Sequence, residues 1–274
     1  MPAAKNGGIS IHYLDPGGDR PAVVFSHGFL MDHEMFEPQI EALRDDYRCI
    51  TWDQRGFGAT EARGPFTYWD SADDLLAVMD ACDVQSATLV GMSQGGFIGM
   101  RSALTAPERV RALFLIDTQA GTEEAPMVPV YEGMAQAWAI QPTEDLARTI
   151  AGIIIGSAVR RDEPLGSAPL GSADHEPWIA KWLARPGDTI TEPFRTLFDR
   201  DDIHDQLSQI TQPVAIVHGD QDVAISMDKA ERLCRELPNC EGLTVIEGGG
   251  HAANLSRPDP VNEALRDFLS RHAG

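Results

Sequence analysis

The run Gly91-Met92-Ser93-Gln94-Gly95 is entered from the apolar stretch Ala87-Thr88-Leu89-Val90 and followed by a segment rich in Gly, Ala and Met. The apolar stretch predicts a buried strand and the segment a helix, which puts the serine on the turn between them. Glycines on either side remove the Cβ atoms that would clash in so tight a turn, leaving the hydroxyl projecting at the strand's end. The helix that begins there points its unpaired N–H groups, and the positive end of its dipole, at the same spot. A hydroxyl beside anion-stabilising donors is half of an acyl-transfer site. A Gly-Ser turn without chemistry would need no partners elsewhere in the chain.

Outward from that turn the chain alternates strand and helix. Before it come a short edge strand over Gly8 to Tyr13, a buried strand over Ala22–Phe25 that leads into Ser26-His27-Gly28-Phe29, and a helix over His33 to Leu43. A strand from Tyr47 to Trp52 then ends in Asp53-Gln54-Arg55-Gly56-Phe57-Gly58, and an amphipathic helix covers Trp69 to Cys82. After it, Arg111–Ile116 is a further strand closed by Asp117. This rhythm predicts a mostly parallel, twisted sheet with helices on both faces, and in such sheets sites lie at the carboxyl ends of the strands. The rhythm stops at Gln119 and resumes at Pro213–Val217, with a helix at Met227–Leu237, a strand at Leu243–Ile246 and a last helix at Pro260–Leu269. Residues 1–118 and 213–274 are therefore expected to form one core domain. Residues 119–212 should form a helical cap that leaves and re-enters the sheet over the site.

The composition bounds the partners. The 274 residues carry 42 acidic against 22 basic side chains, a formal charge of −20, and Lys occurs only at positions 5, 181 and 229. Such a field disfavours nucleic acid, anionic membranes and highly anionic substrates. The N-terminal segment lacks the apolar core of a signal peptide and no run reaches membrane-spanning length, so cytoplasmic residence is the default expectation. Asn254-Leu255-Ser256 reads as a chance sequon. Cys49, Cys82, Cys234 and Cys240 have no metal-ligand spacing and are expected as buried free thiols, although Cys234 and Cys240 could meet. No metal or cofactor is implied.

Ser93 needs a base, because an alcohol is a weak nucleophile at neutral pH. Of eight histidines, His251 follows Gly248-Gly249-Gly250 directly after a strand, on a loop able to carry an imidazole to the nucleophile. His218 lies within a strand and suits packing or hydrogen bonding; His12, His33, His175, His204 and His272 read as solvated. His27 reads as a brace for its loop. The base needs a carboxylate to fix its tautomer. Asp222, just past strand 213–217, is favoured; Asp220 is a minor alternative and Asp117 a reserve position. Asp53, two residues before Arg55, suits an ion pair or a loop anchor. The oxyanion requires two donors: the backbone N–H of Gln94 at the helix start and that of Phe29 in the loop after strand 22–25.

Taken together, His27-Gly28-Phe29, Asp53 to Gly58, Gly91 to Gly96, Gly219-Asp220-Gln221-Asp222 and Gly250-His251 resemble the α/β-hydrolase fold superfamily over the whole chain outside the cap. That resemblance implies an α/β fold with a helical cap inserted after the sixth strand. It also implies Ser93 as nucleophile, Asp222 as acid, His251 as base, and Phe29 and Gln94 as oxyanion donors. The ending Gly250-His251-Ala252-Ala253-Asn254-Leu255 with Pro258 and Pro260 is most similar to 3-oxoadipate enol-lactonases, followed by the cofactor-free haloperoxidase/esterase group.

The implied activity is hydrolysis of a small to medium, largely apolar carboxylic ester or lactone through an acyl-enzyme. The alternatives are C–C bond hydrolysis, perhydrolysis, or a ligand receptor that keeps the fold. The cap contributes Met127, Tyr131, Met134 and three of the chain's five tryptophans, Trp138, Trp178 and Trp182. These tryptophans, with Phe29 and Met92, are the expected pocket lining, against the simpler reading that they pack the cap's own helices. Ile153-Ile154-Ile155 reads as cap core. A carboxylate-bearing substrate would want an arginine over the site, for which Arg160, Arg161, Arg185 and Arg195 are available.

Overall fold

A computed structural model describes residues 2–156 and 174–273. Eight strands form one sheet: β1 (Ala3–Asn6), β2 (Ile9–Leu14), β3 (Ala22–Ser26), β4 (Arg48–Trp52), β5 (Ala87–Met92), β6 (Val110–Ile116), β7 (Val214–Gly219) and β8 (Cys240–Ile246). Their spatial order is β1-β2-β4-β3-β5-β6-β7-β8. The first three in space pair antiparallel, and every pair from β4 to β8 is parallel. β1 falls in a polar stretch with no strand signal of its own, and its pairing with β2 defines it.

Strand alternation explains the two cores. In β6, Val110, Leu113 and Leu115 face one side while Ala112, Phe114 and Ile116 face the other. The first side is covered by α2 (Tyr68–Ala81), α3 (Gln94–Thr105) and α8 (Met227–Glu236). The second is covered by α1 (Glu37–Leu43) and the C-terminal pair α9 (Ala253–Ser256) and α10 (Pro258–His272). The helix expected over His33 to Leu43 is split: a 3-10 turn, His33–Phe36, precedes α1, whose second residue is Pro38. Thr67 starts α2 with a capping box, its hydroxyl accepting from the Asp70 N–H while the Asp70 carboxylate accepts from the Thr67 N–H.

Between β6 and β7 lie α4 (Val128–Ile140), α5 (Glu144–Ile154), α6 (Glu176–Leu183) and α7 (Thr191–Phe198). This insert is tied to loops at the carboxyl ends of β3 and β4. The Trp182 indole donates to the Leu30 carbonyl at 2.7 Å, Lys181 pairs with Asp32 and Glu34, and Arg185 donates to the carbonyls of Gly56 and Gly58. At its return, the buried Arg101 of α3 holds Asp201 at 2.7 Å. The end of α5 also rests on the loop after β8: a Cβ on Gly250 would lie 2.8 Å from the Gly156 Cα. Among the described residues no helix is long and apolar enough to cross a membrane.

The cysteine expectation needs one correction. Cys49 and Cys82 are free and buried, which pushes both thiols up to about 12. Cys234 and Cys240, however, are joined in a disulfide between α8 and the start of β8. The helix must turn back within six residues to enter the edge strand, and that reversal brings the two side chains together.

Candidate active site

Ser93 sits between β5 and α3 with φ 51° and ψ −116°, a conformation that L-residues adopt only under constraint. The constraint is close packing. A Cβ on Gly95 would lie 1.9 Å from the Ser26 carbonyl oxygen, and one on Gly91 2.3 Å from that of Gly95. The Ser93 N–H donates to the Ile116 carbonyl at 2.8 Å and the Thr118 hydroxyl donates to the Ser93 carbonyl at 2.7 Å, so β6 holds the turn from behind.

From β5 and the loops after β7 and β8, three side chains meet in a line. His251 Nδ1 lies 2.8 Å from Asp222 Oδ2, and His251 Nε2 lies 3.1 Å from Ser93 Oγ. An ionised carboxylate only accepts, so Nδ1 carries the ring proton and Nε2 is left to accept from the serine hydroxyl. The other Asp222 oxygen accepts from the N–H groups of Ala224 and Ile225, at 2.8 and 3.0 Å. Burial alone would lower His251, but the charge and hydrogen bond of Asp222, with Asp117 and Glu123 beyond, raise it above an ordinary imidazole. Burial opposes ionisation of Asp222 as well, yet His251, His218 and the N–H donors hold it below the usual carboxylate range.

The two other acids do different work. Asp220 turns away, its carboxylate accepting from the Gly248 N–H at 2.8 Å and fixing the turn after β8. Asp117 is fully buried, accepts from the N–H groups of Gly219 and Ala253, and is pushed well above the usual range by burial and by the neighbouring Asp222. Among the described residues, Asp117, His218 and Asp222 form the one group whose donors lie within 4.8 Å of one another. Three of its four carboxylate oxygens are engaged by backbone N–H groups and the fourth by His251, so the cluster reads as electrostatic support behind His251.

The N–H groups of Gln94 and Phe29 donate to no protein acceptor among the described residues. A buried amide network braces both positions. Tyr68 donates to Gln94 Oε1 at 3.1 Å, Gln94 Nε2 to Gln54 Oε1 at 2.7 Å, and Gln54 Nε2 to the His27 carbonyl at 2.6 Å. His27 accepts from the Gln54 N–H on Nε2 and donates from Nδ1 to the Gly28 carbonyl, which fixes it as a neutral ring; burial lowers it accordingly. Gln54 stands just past the end of β4 and Tyr68 opens α2, and neither carries a further sequence signal for this role.

Asp53 anchors its loop, accepting from the His33 backbone and ring and from the Ala59 N–H, whereas Arg55 pairs with Asp74. His33 is thus an ion-pair partner rather than solvated; His204 hydrogen-bonds Glu236, and His175 is buried.

Ser93 and His251 open on a cavity of about 120 Å³ whose walls are mostly apolar. Phe29 and Trp138 line it as expected, with Tyr131, Met134, Ile153 and Ile154. Met92, Trp178 and Trp182 do not. Met92 is buried beneath the loop after β3, its sulfur against the Gly28 backbone. Trp182 spends its N–H on Leu30, and Trp178 stacks under the Lys181 ammonium at 4.6 Å. Phe97, Phe194, Leu197 and Phe198 take their places, Phe194 and Phe198 stacked at 4.4 Å. Arg185 and Arg195 point elsewhere, and Arg160 and Arg161 lie outside the described residues. Among the described residues, the arginine on the cavity wall is Arg200, facing Glu123.

Residues 21–258 match the alpha/beta hydrolase fold family. The chain belongs to that family. This hydrolase is 28% identical over 265 residues to 3-oxoadipate enol-lactonase 2 of Acinetobacter baylyi, covering 96% of this chain and 94% of that one. It is 29% identical over 277 residues to a putative non-heme chloroperoxidase of Synechocystis, covering 95% of each. Among solved structures it superposes on the enol-lactonase from Burkholderia xenovorans with a TM-score of 0.84, covering 98% of this hydrolase and 100% of that chain; at 23% identity the likeness is one of fold.

Proposed function

We propose that this hydrolase cleaves a carboxylic ester or lactone with a small to medium, largely apolar acyl part, through a covalent acyl-serine. The observation that carries the reading is the unbroken line from Asp222 through His251 to the Ser93 hydroxyl, at 2.8 and 3.1 Å. Ser93 Oγ attacks the carbonyl carbon as His251 Nε2 takes its proton. The imidazolium that forms faces the Asp222 carboxylate. Negative charge developing on the carbonyl oxygen is received by the N–H groups of Phe29 and Gln94, held in advance by the Gln54 network. His251 returns the proton to the departing alkoxide, and the ester oxygen leaves as an alcohol or as the opened end of a lactone. Water, deprotonated by the same ring, then releases the acid and restores Ser93.

The insert acts here as a cap that walls the acyl group from water, and the name of the Acinetobacter baylyi relative, an enol-lactonase, suits a lactone substrate. The test is a panel of p-nitrophenyl esters and lactones. Turnover with an initial burst of nitrophenol, abolished in Ser93→Ala while the melting temperature is kept, is the expected result. A fully active Ser93→Ala protein ends the reading.

A further inference from the structure

Among the described residues, one polar pair on the cavity wall makes no hydrogen bond to Ser93, His251 or Asp222. Glu123, just past β6, and Arg200, just past α7, face each other across the cavity wall with Arg200 Nη2 3.3 Å from Glu123 Oε2. Both side chains are well covered, Arg200 at 1% and Glu123 at 13% exposure. The guanidinium is fixed from several sides. Nε donates to the Gly121 carbonyl at 2.9 Å and Nη1 to the Leu197 carbonyl at 2.6 Å, and the group lies over the Phe97 ring at 4.8 Å. Three of its five N–H donors are thereby engaged, leaving two for a ligand.

We propose that the Glu123–Arg200 pair is a charge filter, which receives an uncharged oxygen of the substrate's acyl chain and rejects chains that end in a carboxylate. This rests on the ester or lactone hydrolase reading and narrows its substrate class. The physical argument is one of compensation. A cavity of about 120 Å³ has room for roughly four waters, so an entering carboxylate sheds most of its hydration. An arginine alone would repay that loss. With Glu123 beside it the local charge is already balanced, and a second carboxylate meets repulsion as well as attraction. A carbonyl or hydroxyl oxygen can take the free N–H groups without either cost. Glu123 also acts on the base, being among the charges that raise His251, which places it within electrostatic reach of the reacting centre.

The experiment compares p-nitrophenyl pentanoate with mono-p-nitrophenyl glutarate, of equal chain length, on the wild type and on Glu123→Gln. The wild type is expected to favour the pentanoate, and Glu123→Gln to raise the glutarate-to-pentanoate ratio of kcat/KM by about 10- to 100-fold, the scale of one uncompensated charge in a screened pocket. A ratio unchanged within about twofold, or a wild type that already favours the glutarate, overturns the filter. Binding of pentanamide and glutaramate, followed by titration calorimetry, reads the pocket without turnover. Should neither ester be cleaved, the hydrolase reading fails, and the amide pair still decides the filter. Should Glu123→Gln not fold, the wild type's own preference decides: tighter pentanamide supports the filter and tighter glutaramate overturns it.

Discussion

Replacing Asp222 by Asn tests the reasoning about the site most severely, because the surroundings dictate how the amide must sit. One Asp222 oxygen accepts from the N–H groups of Ala224 and Ile225. In Asp222→Asn only the amide oxygen can replace it, so the amide NH2 is turned toward His251 Nδ1. The ring then accepts at Nδ1 and carries its proton on Nε2, facing a hydroxyl whose proton it can no longer take. The imidazolium formed in the transition state also loses its counter-charge. At about 4 Å and an effective dielectric near 20 that is about 4 kcal/mol, or roughly a thousandfold in rate. With the wrong tautomer added, kcat should fall by about 10³- to 10⁴-fold. Since Asp222 helps raise His251, the acid limb of kcat/KM should also move to lower pH in Asp222→Asn. Asp117 gains freedom to ionise once its neighbour is neutral, so Asp117→Asn in the same background should remove part of the residual activity. The assay is nitrophenol release from pH 5 to 9, with a thermal melt as control. A kcat within tenfold of the wild type, in a protein of unchanged stability, would refute the tautomer argument.

Gln54→Met fills the same volume but leaves the Gln94 side-chain NH2 and the His27 carbonyl without the partners Gln54 gives them. A loss of about 2–4 kcal/mol in chemical denaturation is expected, with kcat reduced more than KM rises. Gly95→Ala drives a methyl into the Ser26 carbonyl, so the turn that carries Ser93 must shift; activity should drop at least a hundredfold, and an alanine variant of wild-type rate would be contrary evidence. Cys240→Ser opens a loop of six residues remote from the cavity. Urea melts should show a loss of roughly 2 kcal/mol, while kcat/KM stays as it was.

The parts of the fold and site that could be read in advance are those encoded in short stretches. Apolar runs such as Ala22–Phe25 and Val214–Val217 become sheet centre because a strand buried on both faces needs no polar alternation. Ser93 and His251 are legible because each stands on a turn cleared by glycines, and Asp222 because it follows a strand end by a few residues. What escaped is set by tertiary placement. β1 is a strand only through its neighbour, and the disulfide depends on how sharply α8 turns into β8. Trp178 and Trp182 carry the same side chain as Trp138, yet only the direction each leaves its helix decides which meets the cavity. Arg200 resembles the other arginines of the insert in sequence, and its pairing with Glu123 joins residues 77 apart.

The contact between Gly156 and Gly250 bears on how such enzymes can be recombined. An insert taken from a relative and spliced in at the ends of β6 and β7 would have compatible junctions, yet it would also have to bring a bare backbone to one particular point beneath the imidazole-bearing loop. A Cβ at Gly156 would come within 3.2 Å of the Gly250 Cα, so a side chain there would press on the loop that carries His251. Exchange of lids within this group is therefore a three-point fit rather than a two-point one, and chimeras that ignore the third point should fold and bind but turn over slowly.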